Sequence, residues 1–197
     1  MFIFALNGVP IPKTYHCSTY SKKQLKHAVE FLGFPVVVKQ ANTSQGTGVF
    51  LAKNLPALEK MVKMVLENKN EGNVFLQEFI PNDFEYRIFT TGNKIGAAEK
   101  KIRIKNGEFR NNVSLGAKEE FLSITSVKKN ILATALKASF VSGIQVAGVD
   151  IVETKDGRLF VFEANSCPCL TLNEKISPEL KSLAQYLKKC EKNGTIE

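Results

Sequence analysis

The sequence predicts an α+β protein built of two lobes that meet near Pro81. Before Pro81, the β-branched and aromatic runs "FPVVVKQ", "GVFLAK" and "NVFLQEFI" alternate with segments whose apolar residues recur at helical spacing. Beyond Pro81, "EYRIFTTG" and "KIGAAEKKIRI" are separated by little more than the turn Gly92-Asn93, and "VAGVDIVE" and "RLFVFEAN" flank another short turn. There is no internal repeat and no low-complexity linker, and 197 residues with 44% apolar content suffice for a packed core.

The elements follow in order. Residues 1–20 are expected to be an extended leading segment, because the two prolines of "VPIPKTY" forbid helix. The first lobe, 21–80, opens with a helix from about Ser21, a good N-cap, to Leu32, with Leu25, Ala28, Val29 and Leu32 on one face. Two strands follow around "ANTSQGT", then an amphipathic helix over 55–68 with Leu58, Met61, Val62, Val65 and Leu66 as its stripe, then "NVFLQEFI". The second lobe, 81–190, holds the strand-rich region, the polar stretch "KNGEFRNNVSLGAKEEF", a helix over about Thr125–Ser142, the late hairpin, and a helix from Pro178 behind Ser177 to about Lys189. Residues 191–197 read as a frayed tail.

Composition narrows the class. The apolar runs are too short to span a bilayer, and the start lacks a signal-peptide pattern, so a cytoplasmic protein is expected. Four cysteines without metal-like spacing to the two histidines point to reduced thiols. A formal charge of +8 favours an anionic partner such as a nucleotide, an acidic peptide or nucleic acid. Nucleic acid is disfavoured, because the lysines are dispersed and no cluster of stacking aromatics accompanies them.

The late hairpin carries the first chemistry. Reading Asp156-Gly157 as a two-residue turn pairs Lys155 with Arg158 and brings Asp150 opposite Glu163, with Asn165 two residues on along the same face. Carboxylates opposed across strands, roughly 5 Å apart at Cβ, repel unless a proton or cation intervenes. Asp, Glu and Asn oxygens suit Mg²⁺ or Mn²⁺. The bland alternative is a pair of solvated strand-end carboxylates, each with its own Lys or Arg.

The loop after "VVVK" is the second candidate. Lys39 ends a strand, and Gly46 and Gly48, with Ser44 and Thr47, lie between it and the next. No Gly-Lys-Ser/Thr closes the loop and a strand follows it, so it is neither a Walker A loop nor a dinucleotide fingerprint. Glycines there let backbone N–H groups approach an anion. An ordinary turn accounts for the same residues. Cys167 and Cys169 flank a single proline; a disulfide between them is strained and a metal site would need distant ligands, so "CPC" marks the end of the strand.

In their order, "VVVK", "SQGTGV", "QEFI", "EYR", "EFRNN", "AGVDIV" and "FEANSCP" resemble the ATP-grasp superfamily, and within it the ribosomal-protein glutamate ligases and related carboxylate-amine ligases. The resemblance runs from about Val9 to Leu170. It implies ATP held between two α+β lobes, with Lys39 on the phosphates and Ser44, Gly46, Thr47 and Gly48 closing over them. Glu78 and Ile80 would read the adenine edge with Gln77 beside it. Glu85 matches the ribose-binding acid, with Arg87 in the same block. Arg110 and Asn112 match the element near the γ-phosphate, making Lys39 and Arg110 the catalytic candidates. Asp150, Glu163 and Asn165 match the metal ligands, for about two Mg²⁺ or Mn²⁺ ions.

The implied reaction is ATP-dependent joining of a carboxylate to an amine through an acyl phosphate, adding an amino acid such as glutamate to an acidic peptide, protein tail or small acid. Two departures stand against the pattern. The family's preceding domain of roughly a hundred residues has no counterpart before "VPIPKT", and Cys169 replaces a usual glycine. A non-catalytic or partner-dependent ATP-binding module, and an ATP-grasp kinase, therefore stand as alternatives.

Overall fold

The computed structural model describes residues 1–41, 43, 47–67, 73–103, 107–111, 116–171 and 177–192. It divides into two units, each with its own sheet and core. One comprises Pro12–Pro81 with Lys105–Gly116, and the other Met1–Ile11, Asn82–Ile104 and Ala117–Glu197.

The first unit is a four-stranded antiparallel sheet with two helices. Its strands are β1 (Thr14–Cys17), β2 (Val36–Gln40), β3 (Val49–Ala52) and β4 (Val74–Glu78), in the order β1-β4-β2-β3. Helix α2 (Lys22–Leu32) starts where Ser21 accepts a hydrogen bond from the Gln24 N–H, and buries Leu25, Ala28 and Leu32. Helix α3 (Leu55–Glu67) is capped by Asn54, whose Oδ1 accepts from the Ala57 N–H at 3.0 Å, and buries Leu58, Val62 and Val65. These side chains close over Val36, Val38, Val74, Leu76 and Cys17. Burial pushes the Cys17 thiol up, so it is an inert core residue. None of the four cysteines forms a disulfide.

The second unit is a five-stranded antiparallel sheet, β5 (Phe84–Thr91), β6 (Lys94–Ile102), β7 (Lys118–Leu122), β8 (Val146–Glu153) and β9 (Leu159–Asn165), ordered β7-β6-β5-β8-β9. Alternation gives it two different faces. On one, Ile88, Ala98, Val149, Ile151 and Val161 form the core with Ile131, Ala135 and Ala138 of α4 (Lys129–Val141) and Phe4 of α1 (Phe2–Leu6). Thr90 on that face donates to Ser139 Oγ at 2.9 Å. The other face carries Glu85 and Arg87 and, at its far end, meets α5 (Pro178–Lys192), where the Thr91 and Ser182 hydroxyls lie 3.4 Å apart. Ser177 caps α5 by accepting from the Leu180 N–H at 3.2 Å.

Several boundaries differ from the sequence reading. Residues 1–20, expected to be extended, hold α1 and β1 as well as an extended stretch. The prolines at 10 and 12 do forbid helix, but only around themselves. The helix expected from about Thr125 begins at Lys129, after a 3-10 turn over Ile124–Ser126. Residues Lys105–Gly116 group with the four-stranded unit although they lie beyond Pro81. Among the described residues no helix is long and apolar enough to cross a membrane.

Candidate functional site

The polar face of the five-stranded sheet is organised in rows running across the strands. One row is Glu163, Asp150, Arg87 and Glu99, each opposite the next; a second places Glu85 opposite Lys101. Opposite charges across strands stabilise a sheet and like charges destabilise it, so the abutting Asp150 and Glu163 are the row's discordant pair.

Asp150 is only 4% exposed and is gripped by two cations. Arg87 Nε donates to Oδ1 at 2.8 Å and Nη2 to Oδ2 at 2.7 Å. Lys101 Nζ donates to the same oxygens at 3.2 and 3.3 Å and to Glu85 Oε1 at 3.3 Å. Burial alone raises the Asp150 carboxyl, but the charges of Lys101 and Arg87 overcome it and hold it at about 2. Glu85 shows the opposite balance, because burial and then the Asp150 charge push it up to about 7. Glu99, 3% exposed, is raised to about 8 by burial and then by Glu119 and Glu179. Arg87 lies beside it, Nε to Oε1 3.9 Å.

The hairpin that delivers Glu163 is built differently from the expected two-residue turn. The Thr154 N–H donates to the Arg158 carbonyl at 2.9 Å and the Gly157 N–H to the Thr154 carbonyl at 2.8 Å. This leaves a three-residue loop, Lys155 to Gly157, with Gly157 at φ 83° in the left-handed region its last position requires. Continued unbroken, that register would place Phe162 opposite Asp150. A bulge intervenes: Ile151 pairs with Val161 but Asp150 pairs with Glu163, Phe162 being the extra residue. The two one-residue offsets cancel, so Asp150 and Glu163 are opposed although the turn is longer than expected.

Glu163 is exposed, and Asn165 Nδ2 donates to its Oε1 at 2.5 Å. Asn165 stands opposite Gly148. A Cβ on Gly148 would come within 2.8 Å of Pro168 Cβ, so the bare backbone there lets Pro168 fold over β8. The proline between Cys167 and Cys169 thus packs back on the sheet beside the candidate ligands, and both cysteines are exposed. Among the described residues no three His, Cys, Asp or Glu side chains form a group able to hold a metal ion. The oxygens of two carboxylates and an amide are the kind of donors that fit a hard divalent cation, and Asp150 is held ionised by Lys101 and Arg87.

In the four-stranded unit Lys39 is the penultimate residue of β2, opposite Val49 and Phe75. Gly48 sits at φ 72° and its carbonyl accepts from the Gln40 N–H at 2.8 Å. Gln77 is buried, and its Nε2 donates to Thr14 Oγ1 at 2.9 Å, which ties its side chain into the β1–β4 pairing. Glu78 ends β4; its Oε1 accepts from the Lys13 N–H at 2.7 Å, and its own N–H donates to the Lys13 carbonyl at 3.0 Å. Ile80 is buried.

Arg110 Nε and Nη2 fork onto Glu108 at 2.8 and 2.9 Å, and Nη1 donates to the Val49 carbonyl at 3.4 Å. The side-chain hydrogen bond from Arg110 holds Glu108 at about 2. This pair borders a cleft of about 410 Å³ lined by Val49, Phe50, Leu51, Lys53, Met61 and residues 107–110. Ser44, Gly46 and Asn112 lie outside the described residues.

Sequence reasoning missed Lys101, Glu99 and Glu108. Counting back from Gly92-Asn93 pairs Thr91 with Lys94, and would set Arg87 against Ala98 and Glu85 against Lys100. The observed partners are Glu99 and Lys101, because Thr90 pairs with Ile95 while Phe89 pairs with Ala97. Gly96 is the extra residue. A glycine inside a strand marks a bulge, and this was the available signal.

Solved structures share this fold. D-alanyl-alanine synthetase A from Vibrio cholerae superposes with a TM-score of 0.74 at 12% identity, covering 100% of this chain and 63% of that one. A RimK domain ATP-grasp protein from Sphaerobacter thermophilus gives a TM-score of 0.67 at 22% identity, covering 94% and 64%. The two sheets and their helices therefore form an ATP-grasp fold. Residues 1–182 match the RimK-like ATP-grasp domain, and the chain belongs to that family. Its curated relatives include a probable alpha-L-glutamate ligase of Vibrio atlanticus, 34% identical over 177 residues, covering 88% of this chain and 56% of the relative. Another, of Methanococcoides burtonii, is 33% identical over 171 residues, covering 85% and 54%. The chain thus spans about half the length of the curated relatives it matches.

Proposed function

We propose that this chain carries the ATP- and metal-binding core of a carboxylate-amine ligase that adds an amino acid such as glutamate to an acidic peptide or small acid. The observation that carries the reading is the ionised Asp150 opposed to Glu163, with Asn165 on the same face, in a family whose relatives are named glutamate ligases. These three residues would hold a divalent cation, Mg²⁺ or Mn²⁺, which when bound would supply the positive charge that lets an anionic carboxylate approach ATP. Asp150 stays charged because Lys101 and Arg87 both pair with its oxygens. Glu163 is oriented by the Asn165 amide.

Lys39 and Arg110 act on the transferring phosphoryl group as fixed positive charges. The acceptor carboxylate takes the γ-phosphoryl group, releasing ADP and leaving an acyl phosphate; the incoming amine attacks its carbonyl carbon and expels phosphate. No protein nucleophile enters. Positioning and electrostatics do the work. Glu85 would accept from the ribose hydroxyls, and the backbone of Glu78 at the end of β4 and of Ile80 just beyond it would face the adenine edge.

This chain spans only about half the length of the relatives it matches, which favours a second reading: nucleotide binding resides here and acceptor choice depends on further residues. The test is ADP release with ATP and Mg²⁺ over a panel of carboxylates and amino acids, with hydroxylamine present. A hydroxamate supports the ligase; ADP release with a stable phosphorylated product supports the kinase alternative. ATP binding without turnover on any acceptor supports the module reading.

A further inference from the structure

Asp150 holds two cations of different kinds. Arg87 meets it as a planar fork with one short contact per oxygen, at 2.8 and 2.7 Å. Such a pair is geometrically committed. Lys101 reaches from β6 across β5 and makes three longer contacts, 3.2 and 3.3 Å to the two Asp150 oxygens and 3.3 Å to Glu85 Oε1. It is a point charge on a flexible stem, shared between two carboxylates, and is itself only 2% exposed.

A divalent cation at Asp150 would place two further positive charges beside that ammonium. Arg87 cannot turn away without breaking its fork. Lys101 can, because it already touches a second carboxylate and would remain ion-paired and buried if it settled there.

We propose that Lys101 is an internal counter-cation that occupies Asp150 in the metal-free chain and withdraws to Glu85 when a divalent cation binds. The inference rests on the reading of Asp150 as a metal ligand. Its consequence is a coupling between two subsites: metal at Asp150 delivers a full positive charge to Glu85, and loss of Lys101 removes the metal's competitor. Binding couplings of this kind are reciprocal.

The test is Mn²⁺ binding to the full chain without nucleotide, read from the paramagnetic resonance signal of unbound Mn²⁺. Lys101→Met is expected to tighten binding about tenfold. Lys100→Met removes an equal charge one residue away, from an ammonium seated 4.0 Å over the Phe84 ring, and should leave binding within about twofold. Asp150→Asn should abolish binding. If Asp150→Asn binds Mn²⁺ like the wild type, the metal reading itself fails. If Asp150→Asn loses binding while Lys101→Met shows unchanged or weaker binding, or Lys100→Met tightens it equally, the counter-cation proposal is overturned and the metal reading stands. Should Lys101→Met not fold, Glu85→Gln carries the test. With its second partner gone, Lys101 stays on Asp150 and Mn²⁺ binds about tenfold more weakly; unchanged binding overturns the proposal.

Discussion

Replacing Arg87 with methionine removes the guanidinium from Asp150 and keeps most of the apolar stem. The Asp150 carboxyl titrates at about 2 against an ordinary 3.8. At about 1.36 kcal/mol per pH unit, the fold favours its ionised form by roughly 2 kcal/mol. That is a net figure, because burial works against the charge and the two cations more than offset it. Arg87 supplies the shortest contacts, and Lys101 remains in the variant. We expect a loss of about 3 kcal/mol, the lower end of what breaking a buried pair costs.

The assay is urea unfolding followed by circular dichroism at pH 7, with Asp150→Asn and the double variant alongside. The double variant should fall short of additivity by about 2 kcal/mol, since neither single change leaves the pair intact. Asp150's folded value lies below its unfolded one, so its contribution is complete above about pH 4 and fades as pH falls to about 2. A loss under about 1 kcal/mol for Arg87→Met, or simple additivity, refutes the picture of a committed buried fork.

Glu99 has the reverse sign: its folded value, about 8, lies above the ordinary 4.5, so its stabilising contribution is present below about pH 4.5 and is lost as pH rises through about 8. Between pH 5 and 8.5 the wild-type urea midpoint should therefore fall, and that of Glu99→Gln should stay flatter, as titrated denaturation curves will show. Gly148→Ala forces a Cβ against Pro168 and should lower stability by about 1–3 kcal/mol, visible as a drop in melting temperature. A thiol reagent should label Cys167 and Cys169 rapidly in the native chain, Cys190 more slowly, and Cys17 only on unfolding, read by mass spectrometry after timed quenching.

Helices were legible where local chemistry and burial agree. Ser21 and Asn54 cap α2 and α3, whose apolar stripes face the core of the four-stranded sheet, and Ser177 caps α5. Register was less legible, because a bulge is invisible to a pattern of period two. Asp150 and Glu163 were matched only because a longer turn and a bulge at Phe162 compensate. At Gly96 no second offset intervened, and Lys101 and Glu99 were missed as partners of Glu85 and Arg87. The Arg110–Glu108 fork spans two residues within a loop and follows no periodic rule. The α1 helix escaped because it has only five residues and no capping side chain.

Calorimetric titration of ATP with Mg²⁺ into the full chain, compared with Asp150→Asn plus Glu163→Gln, bears most directly on the proposed site. Metal-dependent binding by the wild type, and at least about tenfold weaker binding by the folded double variant, is the predicted result. Equal affinity in the two proteins, or wild-type binding unchanged by chelation of the metal, would contradict the assignment of Asp150, Glu163 and Asn165.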